Sequence, residues 1–126
     1  MAKNKIMIVE DEMIHAIYLQ RLLTRNKYDV CPIATHGDQA LELSRSEEPD
    51  LILMDIFLQG SIDGIETTRL IHARKKIPVI FITASTDPET RRKSEVVNAS
   101  GYLVKPIREE ILMNQIADLL QESAAN

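Results

Sequence analysis

Short apolar segments without alternating polar residues are the feature that most restricts the fold of this chain. Four such segments lie at residues 6–9, 51–54, 79–83 and 102–104, and the first three are rich in Ile, Val, Leu or Phe. A strand with one solvated face alternates apolar and polar residues, whereas a parallel strand covered by helices on both sides is apolar throughout. The segments therefore predict a buried parallel sheet.

A fifth, weaker candidate strand covers residues 28–34. Pro32 lies inside it and has no N–H to donate to a neighbouring strand. Because proline is tolerated at the edge of a sheet but not in its centre, we expect this segment to be an edge strand.

Stretches with helical signals separate the strands and follow the last one. They occupy residues 12–27, 38–46, 64–74, 88–98 and 108–121. In the first, Ile14, Ile17, Tyr18 and Leu22 recur at three- and four-residue spacing, which is typical of an amphipathic helix. In the fourth, Asp87-Pro88 is a helix start, a capping carboxylate followed by proline. Strands alternating with helices imply right-handed crossovers and helices on both faces of the sheet.

Length and composition limit the domain count and exclude several classes of protein. A chain of 126 residues is long enough for one core but too short for two, so we expect one domain over residues 1–126. No apolar run approaches the roughly 20 residues of a membrane helix, and no signal peptide is visible, which predicts a cytoplasmic protein without membrane contact. Cys31 is the only cysteine, which excludes an internal disulfide. A net charge of -4 argues against direct nucleic-acid binding.

Polar residues follow the apolar segments at the point where each predicted strand ends. They are Glu10-Asp11-Glu12, Asp55, Thr83-Ala84 and Lys105-Pro106. Ligands of open parallel sheets bind beyond the carboxyl ends of the strands, so we expect these residues to line one crevice. Clustered carboxylates need a compensating cation, and a set of oxygen ligands suits Mg²⁺. A carboxylate beside Mg²⁺, a lysine and a hydroxyl can carry out phosphoryl transfer to aspartate.

Four motifs occur in order along essentially the whole chain: IMIVEDE at 6–12, LILMD at 51–55, FITA at 81–84 and GYLVKP at 101–106. Together they resemble the receiver domains of two-component response regulators. The resemblance implies a CheY-like, flavodoxin-like α/β fold: a single doubly wound, five-stranded parallel sheet of order 2-1-3-4-5, with five helices on both faces. It also implies a regulatory phosphoacceptor, not an enzyme acting on other substrates.

The resemblance assigns a magnesium site. Asp11 matches the direct ligand of Mg²⁺, and Glu10 matches an acidic partner that usually reaches the metal through water. Asp55 and the backbone carbonyl of Phe57 match the further ligands.

The resemblance also assigns the residues of phosphoryl transfer and switching. Asp55 matches the phosphoacceptor, and Thr83 and Lys105 match the pair that contacts the phosphoryl group. Tyr102 matches the aromatic residue that moves with Thr83 in the switch, and Lys105-Pro106 resembles the family's cis peptide bond. The implied partners are a histidine kinase or histidine phosphotransfer protein as donor, and a downstream effector protein that binds the face of helix four, strand five and helix five.

The loop after Asp55 departs from the family pattern. Gln59 stands where the family commonly has proline, and Asp63-Gly64 follows one residue later than usual, so the loop is one residue longer. The three histidines, His15, His36 and His72, lack a partner motif, and we expect them to be surface residues.

Two other functions remain open. An aspartyl-nucleophile phosphohydrolase would carry Asp-x-Asp after its first strand, where this chain has Glu10-Asp11-Glu12. A degenerate receiver acting only as a docking module would have lost key side chains, which this chain retains. A flavin or nucleotide binder is disfavoured because three carboxylates would repel an anion.

Overall fold

Five strands and five helices alternate along residues 3–125, the part of the chain that the structure, a computed structural model, describes. Side chains are described through residue 121, and residues 1, 2 and 126 of the predicted domain lie outside the described residues. The elements are β1 (Lys5–Val9), α1 (Met13–Arg25), β2 (Asp29–Val30), α2 (Gly37–Glu47), β3 (Leu51–Asp55), α3 (Gly64–Arg74), β4 (Val79–Thr83), α4 (Pro88–Val96), β5 (Gly101–Val104) and α5 (Glu109–Ala125). Within residues 3–125, no helix combines the length and the apolar character needed to cross a membrane.

The strands form one parallel sheet in the order β2-β1-β3-β4-β5, which confirms the predicted fold class. β3 and β4 are buried at every residue, as their continuous apolar sequences predict. Along β1, Ile6 and Ile8 pack toward the core shared with α1 and α5, whereas Met7 and Val9 pack toward the core shared with α2 and α3. Helices therefore cover both faces of the sheet.

β2 is much shorter than the predicted strand over residues 28–34. Ladder pairing covers only Asp29–Val30, and a single further bridge joins Val9 to Ala34. Pro32 lies between the two pairings and cannot donate a ladder hydrogen bond, so the strand is interrupted there. The predicted edge position is correct.

Two helices end two residues before their predicted limits, and in each case a residue just after the helix has a left-handed backbone conformation. α1 ends at Arg25, and Lys27 has a φ of 71°. α4 ends at Val96, two residues before Asn98 with a φ of 58°. The predicted start of α4 is confirmed, because the Asp87 side chain accepts the Glu89 amide 3.4 Å away and proline follows it.

Candidate functional site

The carboxyl ends of β1 and β3 bring three acidic side chains together. One carboxylate oxygen each from Glu10, Asp11 and Asp55 lies within 4.8 Å of the others. Glu10 is 2% exposed and Asp55 is 8% exposed, so two of the three charges have little access to bulk water. The strand-end rule thus predicted the grouping correctly, since parallel strands deliver their last residues to one edge.

Lys105 reaches the acidic cluster from the end of β5. Its Nζ lies 2.9 Å from Glu10 Oε1 and 3.7 Å from Asp55 Oδ2. Its backbone amide donates to the Thr83 carbonyl at 2.7 Å, which continues the pairing of β4 with β5 and holds the lysine at the crevice. One ammonium group faces several carboxylates, so the crevice keeps an excess of negative charge.

The pKa values of the two buried carboxyl groups, Asp55 and Glu10, are shifted in opposite directions. Burial and the adjacent Glu10 carboxylate raise the pKa of Asp55 from 3.8 to about 7. Burial also acts to raise the pKa of Glu10, but hydrogen bonds led by the one with His15 outweigh it and hold that pKa far below its usual range. Near neutral pH Glu10 is ionised and Asp55 only partly so, and a bound divalent cation would favour the ionised form of both groups.

His15 is not the unpartnered surface residue that we expected from the sequence. Its Nδ1 lies 2.6 Å from Glu10 Oε1, and its side chain is 22% exposed. The first turn of α1 turns this residue back toward the end of β1, which no motif indicates. His72 is also half-buried, with Nε2 2.8 Å from the Ile77 carbonyl, whereas His36 is exposed as predicted.

The loop between β3 and α3 and the first residue of α3 make close backbone contacts with Asp55 and Ile56. The Phe57 amide lies 3.3 Å from Asp55 Oδ1, and the Phe57 side chain is 56% exposed. The Gly64 amide donates to the Ile56 carbonyl at 2.7 Å. A Cβ at Gly64 would lie 2.1 Å from the Asp55 carbonyl oxygen, so only glycine fits this approach. The loop turns at Gly60, whose φ is 110°.

Ser85 connects the two residues predicted to form the switch. Its amide donates to Thr83 Oγ1 at 3.1 Å, and its carbonyl accepts the Tyr102 hydroxyl at 3.3 Å. Thr83 is fully buried, whereas Tyr102 is partly buried with the Arg91 guanidinium 5.0 Å from its ring centroid. A displacement of Thr83 would therefore affect the hydrogen bond of Tyr102, because both side chains bond to the backbone of Ser85.

The sequence matches the family model described as "Response regulator receiver domain" over residues 6–117. Response regulator ArlR of Staphylococcus saprophyticus is 37% identical over 118 residues, covering 94% of this chain and 53% of ArlR. The CAI-1 autoinducer sensor kinase/phosphatase CqsS of Vibrio cholerae is 31% identical over 119 residues, covering 91% of this chain and 17% of CqsS. A solved receiver domain protein (CheY-like) from Methanospirillum hungatei has a TM-score of 0.91 at 26% identity, with 98% of each chain covered.

The chain belongs to the response-regulator receiver family of two-component signalling. It spans about half the length of ArlR and a smaller share of CqsS. Domains of this family are typically regulatory modules, not enzymes. The cluster of Glu10, Asp11 and Asp55 is consistent with the phosphorylation site of such a domain.

Proposed function

We propose that residues 1–126 act as one receiver domain in which Asp55 accepts a phosphoryl group from a phosphohistidine. The donor is a histidine kinase or a histidine phosphotransfer protein. The observation that carries the proposal is the setting of the Asp55 carboxylate, which lies beside the carboxylates of Glu10 and Asp11 and has Lys105 Nζ 3.7 Å from its Oδ2. This is a nucleophile with both a cation site and a fixed positive charge beside it.

In the reaction, an Asp55 oxygen bonds to phosphorus while the bond between phosphorus and the donor nitrogen breaks, and the bonding pair stays on the donor imidazole. Asp55 must be ionised to attack, although burial and Glu10 raise its pKa to about 7 in the metal-free site. Lys105 opposes that effect and also balances charge on the phosphoryl oxygens. The domain thereby catalyses only its own phosphorylation and dephosphorylation.

The donor set suits Mg²⁺. The oxygens of Glu10, Asp11 and Asp55 lie within 4.8 Å of one another, and hard oxygen ligands in this number leave room for waters. Together with the Phe57 carbonyl they would hold Mg²⁺, which supplies charge neutralisation for the transferring phosphoryl group.

Phosphorylation is read out through Thr83 and Tyr102. We expect the Thr83 hydroxyl to leave its bond with the Ser85 amide and to contact the phosphoryl group. Ser85 also accepts the Tyr102 hydroxyl, so the tyrosine is expected to turn inward as the contact is lost. The surface of α4, β5 and α5 that changes is the proposed binding face for a downstream effector protein.

Exposed apolar side chains on α1 offer a docking surface for the donor protein. Met13, Ile14 and Ile17 are 47%, 89% and 40% exposed. A groove of about 530 Å³ beside them is lined by Ile14 and also by Lys105. Because the groove and the crevice share Lys105, a protein seated in the groove can bring its phosphohistidine to Asp55.

Incubation with a small phosphodonor and Mg²⁺, followed by intact-mass measurement, tests the proposal. The wild type is expected to gain the mass of one phosphoryl group, whereas Asp55→Asn gains none. Ile14→Asp separates donor docking from chemistry: it should be phosphorylated normally by the small donor and poorly by a cognate donor protein. Equal labelling of wild type and Asp55→Asn would refute Asp55 as the acceptor.

A further inference from the structure

His15 and Lys105 hold the same oxygen of Glu10. His15 Nδ1 lies 2.6 Å from Glu10 Oε1, and Lys105 Nζ lies 2.9 Å from it. A carboxylate oxygen accepts, so the proton of the histidine contact lies on Nδ1. The other oxygen, Oε2, accepts a longer bond of 3.4 Å from the Glu12 amide. Because Oε1 already accepts two short hydrogen bonds, Oε2 is the oxygen better able to coordinate a cation.

The His15 ring is itself held in place. It stacks on Tyr18 with ring centroids 6.0 Å apart and an interplanar angle of 23°. The Tyr18 hydroxyl donates to Glu109 Oε1 at 2.9 Å, which ties α1 to α5. Because little side-chain freedom remains to be lost, His15 can orient Glu10 at a small entropic cost.

We infer that His15 is a positioning residue that fixes the Glu10 carboxylate for binding of a divalent cation. The inference rests on the proposed metal site and adds a residue that does not touch the cation. Hydrogen-bond partners of ligating carboxylates hold the ligand orientation, and their removal weakens metal binding by about 10- to 100-fold. Since Lys105 continues to hold Glu10, we expect the lower end of that range.

The Mg²⁺ affinity of the unphosphorylated protein, measured by titrating backbone amide chemical shifts, tests this role. His15→Ala is expected to bind Mg²⁺ about 10-fold more weakly. His15→Asn keeps an N–H donor near the position of Nδ1 and should restore most of the affinity. His36→Ala, at an exposed histidine outside the crevice, is the matched control and should bind Mg²⁺ as the wild type does.

A double-mutant cycle with Glu10→Ala separates positioning from a general structural effect. If His15 acts through Glu10, adding His15→Ala to Glu10→Ala weakens binding no further, whereas independent effects would add. If His15→Ala is found unfolded by its amide spectrum, His15→Phe keeps the ring without the donor and carries the same expectation.

Wild-type affinity in the folded donor-less variant, or additive losses in the cycle, would overturn the role of His15 and leave the metal site standing. A wild-type protein that binds no Mg²⁺ would overturn the metal site and the inference together.

Discussion

Replacing Asp55 with asparagine should stabilise the metal-free protein above neutral pH. The change keeps the shape of the side chain and removes its charge. In the fold, burial and Glu10 raise the pKa of Asp55 from 3.8 to about 7. A raised pKa disfavours the ionised form, so the Asp55 contribution to stability is complete below about pH 4 and is lost as pH rises through about 7. The asparagine variant does not suffer this loss.

The size of the effect follows from the shift. A displacement of roughly three pKa units at about 1.4 kcal/mol per unit sets a ceiling near 4 kcal/mol. Relaxation of the protein around the Asp55 charge lowers the cost of burying it. We therefore expect the free energy of unfolding of Asp55→Asn to exceed that of the wild type by about 2 kcal/mol at pH 8, which corresponds to roughly 5 to 10 °C in Tm for a domain of this size. At pH 5 much of the loss has not yet occurred, so the gain should be less than half as large.

Urea and thermal unfolding of both proteins at pH 5 and pH 8, with a chelator present, measure the gain. Asp118→Asn serves as the matched control, because Asp118 is exposed on α5 and its replacement should leave stability nearly unchanged at both pH values. An Asp55→Asn variant that is no more stable than the wild type at pH 8, or whose gain is equal at the two pH values, would refute the assigned electrostatics.

Three further perturbations probe the same crevice. Mg²⁺ at about a hundredfold excess over its Kd should stabilise the unphosphorylated protein by about 2.7 kcal/mol, and a Tm that does not move up to saturating Mg²⁺ would contradict a metal site. Lys105→Ala removes the ammonium 2.9 Å from Glu10, so the free energy of unfolding should fall by about 1 to 3 kcal/mol. Phosphorylation-dependent target binding should fail in the same variant. Wild-type phosphorylation together with wild-type target binding would show that the lysine has no role in phosphoryl transfer or switching. We expect the exposed Phe57 ring, two residues after Asp55, to shield the acylphosphate from water. Phe57→Asn replaces this ring with an amide that can orient water, so the purified phosphoprotein should lose its phosphoryl group several-fold faster. Equal or slower decay after donor removal would count against shielding by Phe57.

The parts of the fold that the sequence predicted well depend on local pattern. β3 and β4 read as continuous apolar runs because both of their faces are buried, and the residues after them had to meet at one edge. Glu10, Asp55 and Lys105 could thus be assigned to one crevice from the sequence alone. The cap at Asp87 was equally predictable, because a capping carboxylate followed by proline acts through its own helix.

The parts that the sequence did not predict depend on tertiary contacts. β2 extends only as far as its backbone stays paired with β1, and that pairing stops after Val30, before Pro32. The amino-acid composition of residues 28–34 does not indicate where the pairing stops. His15 meets Glu10 only because α1 packs with its first turn facing the end of β1, so a lone histidine in an amphipathic stretch gave no signal. The link from Ser85 to Tyr102 was equally hidden, since it joins the backbone just after β4 to a side chain of β5.

Chemical trapping of the phosphorylated residue is the most direct test of the account. Borohydride reduces an acylphosphate to an alcohol and converts a phosphorylated aspartate into homoserine, which peptide mass mapping can assign to a position. After reaction with a phosphodonor and Mg²⁺, homoserine is expected at position 55 and at no other carboxylate of the crevice, and none should form in Asp55→Asn. Homoserine at position 11, or trapping that persists in the asparagine variant, would contradict the claim that Asp55 is the phosphoacceptor.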